Sequence, residues 1–247
     1  MPFVLLHAAA DLGEEDLRRG LTHLQAAEFL YETSLFPELE HTFKHALTHE
    51  VAYGSVLHDR RRALHARIVE ALESAVGDRG AEQTDRLAHH AVRGEVWGKA
   101  LHYLRQADAK ALAHSAHRQA VAYVEQALAA LEHLPESRDK LEQAVDLRFE
   151  LRNALWPLAD LDRIRRILLE AEAVAEKLDD RRRLGWVSLY MCTSLYGAAE
   201  HDRAVAAARV PWSSARRAET PTFSSWRTSI SARPTSREQT TNPRSLS

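Results

Sequence analysis

Leu17, Leu21 and Leu24 recur at helical spacing in EEDLRRGLTHLQAAEF, and Glu14, Glu15 and Asp16 precede them. Acidic residues in a first turn oppose the positive end of the helix dipole, so this stretch predicts an amphipathic helix. The period then changes. EFLYETSLFPELEHTFKH carries aromatic and β-branched residues on both sides of Pro37, which predicts two short strands over 29–33 and 41–44 joined as a hairpin. Helix, helix, hairpin, helix is the order of a small winged-helix-like domain, and this piece covers 1–57.

The second piece, 58–210, has a helical pattern throughout. KALHYLRQADAKAL sets Ala100, Tyr103, Leu104 and Ala107 on one face. QAVAYVEQALAALEHLP sets Ala120, Tyr123, Val124, Ala127 and Leu131 on another and stops at Pro135. The same order of small, aromatic and small residues returns about 20 residues later, as in neighbouring helices of an array. Further amphipathic segments are predicted over 138–156, 160–178 and 184–200. Together they predict antiparallel helix pairs in a tetratricopeptide-like α-solenoid, with a degenerate repeat. The third piece, 211–247, loses the alanine and leucine pattern at Pro211 and becomes rich in serine, threonine, arginine and proline. That composition predicts a disordered tail. The abrupt change with no capping helix further suggests that the chain after about Val210 is read out of its ancestral frame. On that reading the last helix loses its next partner and exposes Val187, Leu189, Tyr190 and Leu195.

Composition narrows the chemistry. The 247 residues are 45% hydrophobic and 28% charged, with a formal net charge of −2. Such a balance gives no global attraction to nucleic acid or to an anionic membrane. The short apolar start has no basic region before it, and no apolar run approaches the ~20 residues of a bilayer span. A single cysteine, Cys192, forbids an internal disulfide and fits a cytoplasmic protein. Glycine occurs only 9 times, and neither Gly77/Gly80 nor Gly94/Gly98 is followed by Lys-Ser or Lys-Thr. No phosphate-cradling loop or dinucleotide fingerprint is present. No cofactor is implied.

The candidate sites are few. His45 and His49 stand four apart on a predicted helix, but Glu50 follows the second histidine, which is not the His-Glu-x-x-His order of zinc proteases. Packing or surface roles are favoured over a metal site. Arg60, Arg61 and Arg62 form one basic run and Arg181, Arg182 and Arg183 another. Beside Asp59 and Asp180 they fit solvated helix starts better than a DNA face, which needs many phosphate contacts on one basic surface. Tyr31, Phe36, Phe43 and Tyr53 are expected in the core of the first domain rather than in a ligand pocket. Cys192 has no base in reach along the sequence. His89 and His90 are neighbours and so face different ways on a helix.

The segment EFLYETSLFPELEHTFKHALTHEVAYGSVLHDRRRALHARIVEALE resembles a joint in large bacterial signalling proteins that combine a class III adenylate/guanylate cyclase, a STAND-type AAA ATPase and a tetratricopeptide arm. The resemblance is carried by Phe43, His45, Ala46, Leu47, Val51, Ala52, Tyr53, Arg61, Leu64 and His65. LAHHAVRGEVWGKALHYLRQADAKALAHSAHRQAVAYVEQAL looks like the start of that family's arm, and the resemblance extends over about 1–210. It implies that 1–57 is the winged-helix-like end of the ATPase module and 58–210 the first repeats, with Tyr53 and Leu64 packing the joint against the arm. Cyclase and nucleotide-binding sequences are absent, so no catalytic residue carries over. The resemblance implies a non-catalytic regulatory or protein-interaction segment, a fragment of such a protein. Its partner would be a protein on the repeat surface, or the ATPase and cyclase domains themselves. A fragment of a LuxR-type STAND transcription regulator is the alternative, although 211–247 shows no helix-turn-helix pattern. A metal enzyme built on His45 and His49 is the third reading.

Overall fold

The computed structural model describes residues 2–10, 12–34, 40–76 and 80–208. The expected tail, its reading frame, Pro37 and Phe36 lie outside them. Helices α1 (Phe3–Ala9) and α2 (Glu14–Ala26) lead into strands β1 (Leu30–Ser34) and β2 (Glu40–Phe43), followed by α3 (Ala46–Ser55). The strands form an antiparallel hairpin in which Leu30 faces Phe43 and Tyr31 faces Thr42. Pro2 bridges to Glu40 on the outer edge of β2. The helix, helix, hairpin, helix order of the first piece is therefore present.

An array of helices follows: α4 (His58–Val76), α5 (Gly80–Arg93), α6 (Trp97–Ala113), α7 (His117–Glu132), α8 (Arg138–Leu155), α9 (Leu161–Lys177), α10 (Arg181–Gly197) and α11 (His201–Ala208). Each packs on the next, in the manner of a helical solenoid. Alanine makes this possible. Ala91, Ala100, Ala107, Ala120, Ala127, Ala154, Ala171 and Ala175 are completely buried, and a side chain of one carbon lets two helix backbones approach closely. Leu104, Val124, Leu147, Leu155, Ile164 and Leu168 fill the remaining space. The core also takes in α1, whose Leu5 and Ala9 pack with Ile68, Val69 and Leu72 of α4. The first helix thus lies on the array side of the expected boundary at 57/58.

The turns repeat as well. After α5, α6, α9 and α10 one residue adopts a left-handed backbone: Glu95, Ser115, Asp179 and Ala199. The next N–H reaches back five residues to Ala91, Ala111, Ala175 and Leu195 respectively. This is the Schellman stop, which satisfies carbonyls that a helix end otherwise leaves without partners. The residue that closes it starts the next helix. Asp180 in this position also caps α10, accepting from the Arg183 N–H at 3.0 Å. That cap moves the start of α10 to Arg181, three residues before the predicted 184.

One expectation needs correction. Val187 and Leu195 of α10 are 1% and 4% exposed, and Leu189 and Tyr190 are half-buried. Helix α11 packs on α10, so α10 does not end the array bare. The exposed apolar residues at this end are Tyr196 and Val205.

Two turn substitutions test the packing. A methyl group added at Gly94 would stand 2.7 Å from the backbone N of Ala66 in α4. Gly94→Ala is expected to lower the unfolding free energy by about 1–3 kcal/mol, because backbone has to move. Ser115→Gly relieves a left-handed non-glycine residue and is expected to be neutral or to gain up to about 1 kcal/mol. Urea melts of both variants measure the contrast; equal effects would contradict it.

Candidate functional site

The ten residues that carry the joint resemblance divide between two faces. Phe43, Tyr53, Arg61, Leu64 and His65 are at least partly buried. His45, Ala46, Leu47, Val51 and Ala52 are exposed. His45 is extended backbone just before α3, and only its carbonyl takes part in the helix start, accepting from the His49 N–H. The two histidines therefore do not form a pair on one helix face, which corrects that part of the sequence reading. Among the described residues no group of three or more His, Cys, Asp or Glu side chains is placed to hold a metal ion.

On the inner face, ring contacts run from the hairpin into the array. Phe43 meets His49 edge-on with ring centres 5.2 Å apart, His49 stacks on Tyr53 at 5.9 Å, and Tyr53 meets His65 at 6.0 Å. Spacing explains the run, since His49 and Tyr53 are one turn apart on α3. The hydroxyl of Tyr53 is 3.0 Å from His65 Nε2 and accepts from the Arg93 guanidinium at 3.0 Å. Across the ring, His65 Nδ1 lies 2.8 Å from His90 Nδ1. Arg61 lies over the Tyr53 ring at 5.1 Å. One tyrosine thus ties α3 to α4 and α5.

The contact between the two Nδ1 atoms has a chemical consequence. Two nitrogens 2.8 Å apart share one proton between them. His65 and His90 therefore cannot both be imidazolium in this geometry. Burial pushes both down to about 4, helped at His65 by Arg93, His89 and Arg61, and at His90 by His65, His89, Arg86 and Arg93. The cluster is a neutral polar connector, and it has no nucleophile beside it.

One arginine of each run is paired. Arg62 donates to Glu95 at 3.1 Å and lies 3.7 Å from Asp59. Arg183 holds Asp146 and Asp180. Arg60, Arg181 and Arg182 are exposed. Tyr31 is 46% exposed and Phe43 and Tyr53 are only half-buried, so the expected aromatic core is not seen among the described residues. Cys192 is a half-buried free thiol.

Sequence reasoning missed the partners of these residues. His90 and Arg93 join the cluster from 25 and 40 residues away, and no local spacing announces that. It also missed two buried polar groups in the array. Asp108 is 4% exposed, and burial and Glu150 push its carboxyl up to about 7. Arg152 is 8% exposed. No helix among the described residues is long and apolar enough to cross a membrane. No family model matches the chain, and no curated protein and no solved structure matches it.

The histidine pair makes stability depend on acid. A histidine whose folded value lies below its ordinary 6.5 supports the fold fully above that pH and loses its support as pH falls toward 4. Asp108 acts oppositely, because a raised carboxyl favours the fold at low pH. The comparison is therefore between variant and wild type at each pH. His90→Gln is expected to lose less stability than the wild type between pH 7 and pH 4.5, by about 1–3 kcal/mol. Thermal or urea melts across that range measure it, and parallel curves would contradict the assignment.

Proposed function

We propose that the chain is a non-catalytic regulatory segment that joins a winged-helix-like end of a signalling ATPase to a helical-repeat arm, as in the bacterial cyclase-linked STAND proteins whose joint it resembles. The observation that carries this reading is α3. Its ten residues include Ala46, Leu47, Val51 and Ala52, and none of the ten is buried. Leu47 is 70% exposed, Val51 65% and the following Leu57 78%. Leu47 and Val51 are one turn apart, so they form a short apolar stripe on the side away from Tyr53. Covering two such side chains contributes roughly 1.5–3 kcal/mol each.

A helix tied inward by one tyrosine and apolar outward suits a connector between two bodies. The inner histidine cluster would pass a displacement of α3 to α4 and α5, since Tyr53 bonds to both. On this reading the nucleotide chemistry of such a system would belong to the partner.

The test is binding between the purified chain and a separately produced STAND-type ATPase module of the cyclase-linked class. The wild-type chain is expected to bind. The double variant Leu47→Glu, Val51→Glu is expected to bind at least tenfold more weakly with an unchanged melting temperature, since neither residue is buried. No binding by the wild type, or equal binding by the variant, would overturn the reading.

A further inference from the structure

Arg152 sits between α8 and α10, two helices that lie side by side without being consecutive. Asp146 meets Arg183, Phe149 meets Tyr190, and Arg152 meets Thr193. Both sets of numbers rise together, so the two helices run parallel. Phe149, Trp186 and Tyr190 make an aromatic wall, with Tyr190 in contact with both of the others at 5.3 and 5.7 Å between ring centres. The Arg152 guanidinium carbon lies 4.5 Å from the centre of the Trp156 ring and 4.6 Å from that of Tyr190.

The charge of Arg152 stands unbalanced. From α6 to α11, the half-buried arginines Arg105, Arg148, Arg163, Arg165 and Arg183 each pair with a carboxylate. Arg152 is more buried than any of these, yet it has no carboxylate among the described residues. It donates to Asn153 Oδ1 at 3.2 Å and to Thr193 Oγ1 at 3.3 Å, and its Nε meets no acceptor. A guanidinium has five N–H groups, so most of this one's hydrogen-bonding edge is unused. Burying a charge without a counter-charge is strongly unfavourable. Two aromatic contacts return only part of that cost.

We propose that Arg152, with Trp156 and Tyr190 beside it, anchors a site on the array that takes one carboxylate of a partner peptide. A carboxylate matches the planar fork of N–H donors and balances its single charge. The nearby aromatic rings suit the apolar side chains on either side of that carboxylate in a peptide. A dianion is the poorer match, because the nearby Arg183 is already held by Asp146 and Asp180. The site is separate from α3 and does not depend on the ATPase reading; failure at one face leaves the other intact.

The experiment uses the full chain and three short peptides of alanine and leucine. One has blocked ends and a central glutamate, one has blocked ends and a central glutamine, and one has the central glutamine with a free C-terminal carboxylate. The glutamate peptide or the free-terminus peptide is expected to bind at least tenfold more tightly than the blocked glutamine peptide in calorimetry, and which of the two binds assigns the source of the carboxylate. Arg152→Met is expected to remove that preference while the free chain melts at the same temperature or higher. Binding without preference for a carboxylate would overturn the proposal. So would a preference that persists in Arg152→Met, or inorganic phosphate binding as tightly as the peptides. Comparison of the three peptides on the wild type decides the matter even if Arg152→Met does not fold: equal binding by all three overturns the proposal.

Discussion

Helix-to-helix approach through buried alanine is the constraint on which this molecule depends. Ala100 and Ala107 on α6, Ala120 and Ala127 on α7, and Ala171 and Ala175 on α9 have no exposed surface. A larger side chain at any of them would push two backbones apart, and in a stack that displacement would pass to every later helix. Gly94 is the extreme case, where α5 ends so near α4 that even one carbon does not fit. The same closeness explains the short turns. A helix that stops through a Schellman bond begins its successor at once, so neighbours are held antiparallel without a loop to spare.

Consecutive packing sets each pair of helices, and polar ties then relate each helix to the next but one. Glu73 of α4 accepts from Lys99 and Tyr103 of α6 at 2.6 and 2.7 Å. Asp85 of α5 accepts from Tyr123 of α7 at 2.9 Å. Arg105 of α6 holds Glu150 of α8, Arg163 of α9 holds Glu125 of α7, and Arg183 of α10 holds Asp146 of α8. Apolar contact has no direction, whereas these bonds fix how far alternate helices may slide or fan apart. Single exposed ion pairs contribute little to stability. Repeated along the array, they restrain the spacing of alternate helices.

The helices of the array were legible because their period is strong and their faces are sharply divided. Ala100, Leu104 and Ala107 were placed on one face from spacing alone, and all three are buried. The hairpin was legible to within one residue at each described end, from the change of period around 29–44. What the sequence hid were the helix stops and the cross-helix partners. A Schellman turn is usually announced by glycine, but here Glu95, Ser115, Asp179 and Ala199 occupy the left-handed position. No composition rule marks those residues. His65 and His90, or Arg152 and Thr193, meet only because helices stack, and their separations of 25 and 41 residues follow from helix length and turn length together. The burial of Val187 and Leu195 was missed because the last predicted helix covers 184–200, so α11 was not counted as its partner.

The two sides of α3 are held very differently. On α3, positions 49 and 53 face the array and positions 47 and 51 face outward, each set one turn apart. A helix with only one ordered side would either be absorbed into the core or drift free of it. Here the inward side is held by hydrogen bonds rather than by buried area: Tyr53 to His65, Arg93 to Tyr53, and His65 to His90. Hydrogen bonds are directional and individually modest, at about 0.5–1.5 kcal/mol net. Such a connection sets the register of α3 on α4 and α5 while burying little apolar area. Leucine-like packing in its place would hold α3 by buried area and would lose the direction that hydrogen bonds supply. Neutral imidazoles serve this purpose well, because each can donate at one nitrogen and accept at the other, so a row of bonds passes from Arg93 to His90 with no charge buried inside it.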